Sequence, residues 1–391
     1  MKYLLTTLCM LGLATANIAA SQPYRPQQDK EVLETLPAQG KAWLEIRGLR
    51  AAAAAAPNDM PAALQLVKRY IELGRAESDP RYYGYAEALL SPWLKTERPS
   101  AEALTLRATL FQNRHEFPAA LENLNAALAQ QPRLPQAWLT RALIQEVQGN
   151  YAAALNSCRP LLKLAAPLTA QVCINSALSL SGQIDAAYAQ LKQAVELAAT
   201  ALVTDKQWAL ITLAEIAERK GDPAAAEQYY QQSFGLAQRN GYLLATYADF
   251  LLDQHRYAEA VQLLQNEIRV DGLLLRLTVA EQQLNLASAI AHAEALTARF
   301  AASRQRGDTV HQGDEARFLL HVLHQPAPAL DLALANWSVQ HEPRDARILL
   351  EAALAVGNSR QTVQPALAFL AQAGVQDVRL QALIAHYKGG V

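Results

Sequence analysis

The most constraining feature of this sequence is an internal repeat with a period of 34 residues. The segment that starts at Ala101 reads AEALTLRATLFQNRHEFPAALENLNAALAQQP, and the segment that starts at Pro135 reads PQAWLTRALIQEVQGNYAAALNSCRPLLKLAA. When the first is shifted onto the second, Ala108 aligns with Ala142 and the neighbouring positions follow. A fixed period of this length is typical of stacked helix pairs, each of which packs only against its neighbours.

Each period contains the residues that a helix hairpin needs. Ala108 and Ala120 fall on the first and second helix of one unit, and their small side chains let the two helices cross closely. Gly149 followed by Asn150 suits a left-handed helix end and a new helix start. Pro132 follows a second helix, where its fixed φ and missing N–H favour a helix stop. Each period therefore predicts a helix, a tight turn and a second helix.

This pattern resembles the tetratricopeptide repeat family. The matching positions are Ala108, Phe117, Ala120, Ala127, Pro132, Trp138, Ala142, Gly149, Tyr151 and Ala154. The resemblance implies an all-α, right-handed α-solenoid of about eight helix pairs with a C-terminal capping helix. Strong helix formers such as Ala, Leu, Gln and Glu dominate the composition, in agreement with an all-α chain.

The repeat continues on both sides with shifts in spacing. Its weaker copies are marked by Tyr70, Gly74, Tyr83 and Ala86, by Gly182, Ile184 and Ala187, by Ala214, Gly221, Pro223, Ala226 and Tyr230, and by Ala248, His255, Tyr257, Ala260 and Leu264. We assign residues 58–306 to the repeat array and residues 307–391 to degenerate helix pairs and a capping helix. Within the latter, we expect helix pairs around 315–340 and 344–373, and a last helix over 377–387.

Residues 1–20 have the features of a secretory signal peptide. Lys2 precedes an apolar stretch from Leu4 to Leu13, and small residues follow up to Ala20. A folded N-terminal helix is the alternative. Residues 21–57 then predict a Pro/Gln-rich arm followed by a helix. We expect a periplasmic or secreted protein, with no membrane-spanning segment after signal removal, since no later stretch has about 18 unbroken apolar residues.

Export would leave the mature chain with two cysteines, Cys158 and Cys173. The repeat register places them on the second helix of one unit and the first helix of the next, which are neighbours in a solenoid. We expect a structural disulfide between them, because an oxidising compartment permits it. Two small buried thiols are the alternative.

The charge balance and motif content exclude several classes of function. The chain carries 35 Lys and Arg against 36 Asp and Glu, so it lacks the basic surface that nucleic-acid binding requires. It contains no nucleophile elbow, phosphate-binding glycine loop or H-E-x-x-H motif. We expect no enzymatic activity and no cofactor. The weaker alternative is a metal-binding protein that uses His311, His321 and His324, since His321 and His324 would share one helix face.

The resemblance implies a ligand groove lined by the first helix of each unit. Projection by repeat position predicts this inner face to include Glu102, Thr109, Gln112, Asn113, Gln136, Glu146, Glu215, Glu218, Tyr242, Asp249 and Asp253. Its later half is acidic, which favours a basic or N-terminal peptide segment as ligand. Ordinary solvated helix faces are the alternative.

Two arginines depart from the family pattern. Arg107 and Arg141 occupy the same repeat position, where the family has an apolar residue, and we expect them to form a ladder with neighbouring acids. Taken together, the sequence predicts a non-enzymatic scaffold of the cell envelope that binds a protein or peptide. An assembly factor for an envelope complex is the alternative.

Overall fold

The computed structural model describes residue 28 and residues 41–236, 240–307, 310–357 and 360–388. The expected signal peptide and most of the N-terminal arm lie outside the described residues. The chain divides into two parts at Arg47–Gly48, within the first helix, and every hairpin lies in the second part. Within the described ranges the chain contains helices and turns but no strand. None of these helices is both long and apolar enough to cross a membrane.

Most of the helices are joined in pairs by short turns. Their bounds are α1 Lys41–Ala55, α2 Met60–Glu77, α3 Arg81–Leu94, α4 Ala101–Asn113, α5 Phe117–Gln130, α6 Pro135–Val147, α7 Tyr151–Cys158, α8 Leu161–Leu164, α9 Pro167–Leu180, α10 Ile184–Leu197, α11 Val203–Lys220, α12 Pro223–Phe234, α13 Gly241–Asp253, α14 Tyr257–Leu264, α15 Asp271–Gln283, α16 Ser288–Gln305, α17 Gln312–Arg317, α18 Pro326–Trp337, α19 Pro343–Val356, α20 Arg360–Ala373 and α21 Val378–Lys388. A π-helical turn, Phe318–Val322, continues α17.

These helices form nine stacked hairpins in the described residues, close to the expected eight. Units 1 to 9 are α2/α3, α4/α5, α6/α7, α9/α10, α11/α12, α13/α14, α15/α16, α17/α18 and α19/α20, and α21 packs on α19 as the last helix. The prediction of an all-α solenoid of tetratricopeptide-like helix pairs is confirmed. Units 8 and 9 and α21 lie within residues 307–391, the segment that we assigned to degenerate helix pairs and a capping helix.

The sequence signals act locally as expected. Asp59, Ser100 and Asp222 accept hydrogen bonds from backbone N–H groups of α2, α4 and α12, which satisfies donors that a helix start leaves free. The crossing residues Ala108 and Ala120 are completely buried. A larger side chain at either position would force the two helices of unit 2 apart.

The end of the solenoid returns to its earlier units. The backbone N–H of His341, just before α19, donates to the carbonyl of Val147 at the end of α6, 2.8 Å away. Helix α21 packs against α11, and α13 packs against α2. The second part of the chain is therefore a closed turn of stacked hairpins, in which the C-terminal helices lie against units 2 to 5.

Candidate ligand-binding groove

The predicted inner-face residues of units 2 and 3 bond mainly within their own helices. The Thr109 hydroxyl donates to the carbonyl of Thr105 at 3.0 Å, and the Asn113 amide donates to the carbonyl of Thr109 at 2.8 Å. The Gln136 amide donates to the Thr140 hydroxyl in the same helix. These side chains form hydrogen bonds within their own helix and do not form a shared polar site.

Two further predicted residues of this half differ from that pattern. Glu102 forms an ion pair with Lys68 of unit 1, with 2.5 Å between the atoms. The Oε1 atom of Gln112 is buried and has no hydrogen-bond partner among the described residues. Its position as a ligand contact stays a prediction.

The acidic half of the inner face is largely occupied by arginines from the C-terminal helices. Asp253 pairs with Arg347 of α19 at 2.7 Å, and Glu218 pairs with Arg379 of α21 at 2.7 Å. Arg379 also lies 3.5 Å from Asp253. The chain thus places its own cations on carboxylates that we predicted to face a ligand.

Asp249 is the centre of a separate ion cluster that joins units 6, 7 and 8. Its carboxylate accepts from Arg276 at 2.6 Å and from Arg317 at 2.7 Å. The Arg276 side chain is only 5% exposed. These two guanidinium groups hold the pKa of Asp249 well below its usual range, although burial alone would raise it.

Sequence reasoning missed these arginine partners. One signal was available, because residues 307–387 contain five arginines and no lysine, and arginine is the residue best suited to pair with carboxylates in enclosed sites. The repeat period gave no indication of which acids they would meet.

Glu146 and Glu215 are different, because each is bonded to a neutral hydroxyl. The Ser176 hydroxyl donates to Glu146 at 2.7 Å, and the Tyr242 hydroxyl donates to Glu215 at 2.5 Å. Within the described ranges neither carboxyl has a cation within 4 Å. Burial raises the pKa of Glu146 to about 7, and burial also raises the pKa of Glu215. Both groups are placed to gain from an added positive charge.

Glu218 lies between these two situations. Besides Arg379, its carboxylate accepts a hydrogen bond from the Tyr230 hydroxyl. Burial raises the pKa of Glu218 to about 7, and this effect exceeds the opposing influence of Arg379. The inner face therefore contains carboxyls that change their protonation state near neutral pH.

The expected ladder of Arg107 and Arg141 with acids is wrong. Arg107 is exposed, and its guanidinium lies 5.0 Å from the centre of the Phe111 ring. Arg141 lies 4.3 Å from the Trp138 ring centre and donates to Ser157 and to Asn125. Since planar guanidinium groups stack on aromatic rings, an aromatic neighbour one turn away takes the place of the acid.

The cysteines and histidines were the other predicted sites. Cys158 and Cys173 are joined as a disulfide between α7 and α9, with their Cα atoms 5.7 Å apart. His321 bonds to Glu351 at 3.0 Å, while His324 has a positive φ of 54° beyond the helical turn, so the two do not share a helix face. The described residues contain no group of three or more His, Cys, Asp or Glu able to hold a metal ion.

A shallow pocket of about 500 Å³ lies at the turn between α15 and α16. Leu286, Ile290 and Leu323 contribute to its lining, and Ile290 is 69% exposed. None of the predicted groove residues lines it.

Comparisons with known proteins show fold-level similarity only. No protein-family model matches the chain, and no curated protein matches its sequence. A Rap protein complexed with competence and sporulation factor is 13% identical, with a TM-score of 0.47 over 89% of this chain and 96% of that one. The human IFIT1 dimer with m7Gppp-AAAA is also 13% identical, with a TM-score of 0.44 over 87% of each chain.

A third similar structure is the Cut9–Hcn1 hetero-tetramer of APC/C. It is 13% identical, with a TM-score of 0.42 over 78% of this chain. The chain spans about half of that protein, 52% of its length.

Proposed function

We propose that this chain is a non-enzymatic repeat scaffold that binds a cationic segment of a protein or peptide on the inner face of its solenoid. The ligand would present an arginine, a lysine or a free N-terminal amine. Glu146 of unit 3 and Glu215 of unit 5 would receive this charge, and neighbouring units would hold the segment at fixed spacing.

The observation that carries this proposal is the unequal pairing of the inner-face acids. Asp249, Asp253 and Glu218 have arginine partners, whereas Glu146 and Glu215 accept hydrogen bonds from hydroxyl groups and form no ion pair with any described residue. Arg219, and for Glu215 also Arg344, lower the pKa of these carboxyls, but the effect of burial is larger. A ligand that supplies a cation in direct contact therefore gains a charge-assisted hydrogen bond. The C-terminal arginines illustrate within the chain the chemistry that such a ligand would use.

We also propose that the scaffold works in the cell envelope, in the periplasm or outside the cell. The signal-like residues 1–20 support export. The Cys158–Cys173 disulfide supports it independently, because such bonds persist mainly in oxidising compartments. Detection of the mature protein in a periplasmic or culture-medium fraction, with an N-terminus past residue 20, would test this part.

Binding of fluorescein-labelled hexa-arginine, followed by fluorescence polarisation, tests the ligand class. The double variant Glu146→Gln/Glu215→Gln should bind at least about tenfold more weakly than the wild type, because it loses two charge-assisted contacts. Glu122→Gln, an exposed carboxyl on α5, is the control and should bind as the wild type does. Equal binding by all three proteins would reject the proposed site.

A further inference from the structure

The C-terminal helices share an apolar core with unit 8 and cover part of the inner face. We name residues 340–357 and 360–388 the C-terminal clasp. Two of its arginines, Arg347 and Arg379, form ion pairs with Asp253 and Glu218. These acids belong to the same inner face as Glu146 and Glu215, which the proposed function assigns to a ligand.

The apolar core of the clasp is independent of the units that it covers. Its buried members run from Ala316 to Tyr387, so they come from unit 8 and the clasp alone. The first helices of units 3 to 5 contribute to other clusters. The clasp could therefore separate from units 3 to 5 without exposing the centre of either core.

The seam between the clasp and units 2 to 5 combines polar contacts with close apolar packing, the latter at Phe369 on Gly149 and at Val378 on Gly221. The His341 N–H donates to the carbonyl of Val147, and the Tyr151 hydroxyl donates to the carbonyl of His341 at 3.5 Å. The ring of Phe369 lies beside Tyr151, with 6.1 Å between the ring centres. Polar contacts exchange with water or with a ligand at little net cost, because each loses only the difference between two sets of hydrogen bonds.

Val339 marks the base of the clasp. This residue precedes α19 and packs against the core cluster that Ala108, Phe117 and Ile144 form in units 2 and 3. The clasp is therefore attached by apolar contacts at Val339, Phe369 and Val378 and by the ion pairs of Arg347 and Arg379.

From this geometry we propose that the clasp is an intramolecular competitor: its arginines occupy the groove, and a cationic ligand binds when the clasp opens. This inference rests on the proposed function and adds its regulation. A ligand site that is open only part of the time has an apparent affinity reduced by the open fraction. Weakening the clasp without a change of charge should therefore strengthen ligand binding, which an ordinary structural contact would not do.

The test uses the full chain and the hexa-arginine probe. Arg347→Gln/Arg379→Gln removes both clasp arginines, and Arg269→Gln/Arg360→Gln removes two exposed arginines as a charge-matched control. We expect the clasp variant to bind about tenfold more tightly than the wild type, and the control to remain within about twofold. Phe369→Ala loosens the seam without a charge change, should also tighten binding, and serves if the double variant does not fold.

Hydrogen–deuterium exchange separates failure of the clasp from failure of the proposed function. If α21 exchanges faster in the clasp variant than in the wild type, while α4 and α5 exchange at unchanged rates, the clasp opens. If no protein binds the probe while α21 exchanges faster, the proposed function is wrong and the clasp still opens. If the probe binds the wild type through Glu146 and Glu215 but the clasp variants bind no more tightly, the competitor role is rejected.

Discussion

The turns of units 3 to 5 and those of units 6 to 8 have the same backbone shape but different residues. Each contains one residue with a positive φ. It is glycine in units 3 to 5, at Gly149, Gly182 and Gly221, with φ of 75° to 79°. In units 6 to 8 the equivalent residues are His255, Asn285 and His324, with φ of 54° to 55°. A left-handed turn alone therefore does not require glycine in this solenoid.

The two sets of turns also differ in their contacts with the C-terminal clasp. A Cβ atom on Gly149 would lie 2.6 Å from Cε2 of Phe369, and one on Gly221 would lie 3.2 Å from Val378. His255, Asn285 and His324 are exposed. The glycine turns of units 3 and 5 pack closely against the returning chain. The turn of unit 2 also contacts that chain, through His115 and Gln340, without a glycine. Units 6 to 8 are joined instead by the Asp249 ion cluster.

The largest effect should come from breaking the ion cluster of units 6 to 8. Asp249→Asn removes the nearest negative charge of the buried Arg276 and of Arg317, and leaves the more distant Asp314, 3.7 Å from Arg276. We expect the free energy of unfolding to fall by about 3–4 kcal/mol, because removal of one partner leaves buried charge uncompensated. Urea denaturation measures this. Asp331→Asn, at an exposed carboxyl on α18, is the control. A loss below about 1 kcal/mol for Asp249→Asn would show that the ion cluster contributes little to the free energy of unfolding.

The sequence predicts contacts between residues that are close in the sequence, but not contacts between distant ones. The 34-residue period and the small residues at Ala108, Ala120 and Ala154 were sufficient for the hairpins, because each hairpin packs against its sequence neighbours. The turn glycines were explained by helix capping, which accounts for their φ but not for the close packing at Gly149 and Gly221. That packing involves Phe369 and Val378, which come more than 150 residues later.

The candidate site was predictable to a similar extent. Repeat position placed Glu215, Glu218 and Asp253 on the inner face, but it gave no information on their partners. Arg379 lies 161 residues after Glu218, and Arg347 lies 94 residues after Asp253. A solenoid that closes on itself creates contacts that no local period encodes. The same limit explains why an acidic face could be read from sequence as open when its own arginines cover part of it.

The second prediction separates turn conformation from close packing. Gly149→Ala should lower the free energy of unfolding by about 2–3 kcal/mol, since it combines a strained positive φ with overpacking against Phe369. Gly357→Ala is a matched control, because Gly357 has φ of 72° and nothing within 4 Å of the added Cβ. It should cost about 1 kcal/mol from the backbone alone.

Thermal and urea unfolding of the glycine series measure this difference. Gly221→Ala should fall between the two variants, because its Cβ would be 3.2 Å from Val378. In the Phe369→Ala background, Gly149→Ala should lose most of its excess cost over the control. Equal losses of unfolding free energy in Gly149→Ala and Gly357→Ala would mean that packing against the clasp adds nothing to the cost at Gly149.

The third prediction asks whether the disulfide contributes to the rigidity of units 3 to 5. Cys158→Ser/Cys173→Ser should lower the free energy of unfolding by about 2 kcal/mol, since the bond closes a short loop between units 3 and 4. The wild type under strong reductant should show a similar loss, which the serine variant should not show. A loss that simply adds to that of Gly149→Ala would indicate that the bond and the seam act independently.

The smallest expected effect concerns pH and distinguishes the carboxyls of the seam from those of the surface. Burial raises the pKa of Glu146 and Glu218 to about 7 and that of Asp345 to about 6. A carboxyl with a raised folded-state pKa adds stability that is complete below the unfolded pKa and is lost as pH rises through the folded one. Stability should therefore decline between pH 5 and pH 8, as Glu146, Glu218 and Asp345 ionise.

Urea denaturation at pH 5, 6.5 and 8 tests this, with Glu218→Gln expected to flatten the decline. Glu259→Gln is the control, because a hydrogen bond from Arg256 lowers the pKa of Glu259 and places its own titration below this range. Since Glu218 pairs with Arg379, exchange in α21 should also rise with pH more steeply in the wild type than in Glu218→Gln, after correction for intrinsic exchange. A stability that rises from pH 5 to pH 8 would show that the inner-face acids are ionised without cost, and would remove the reason for a ligand to supply charge there.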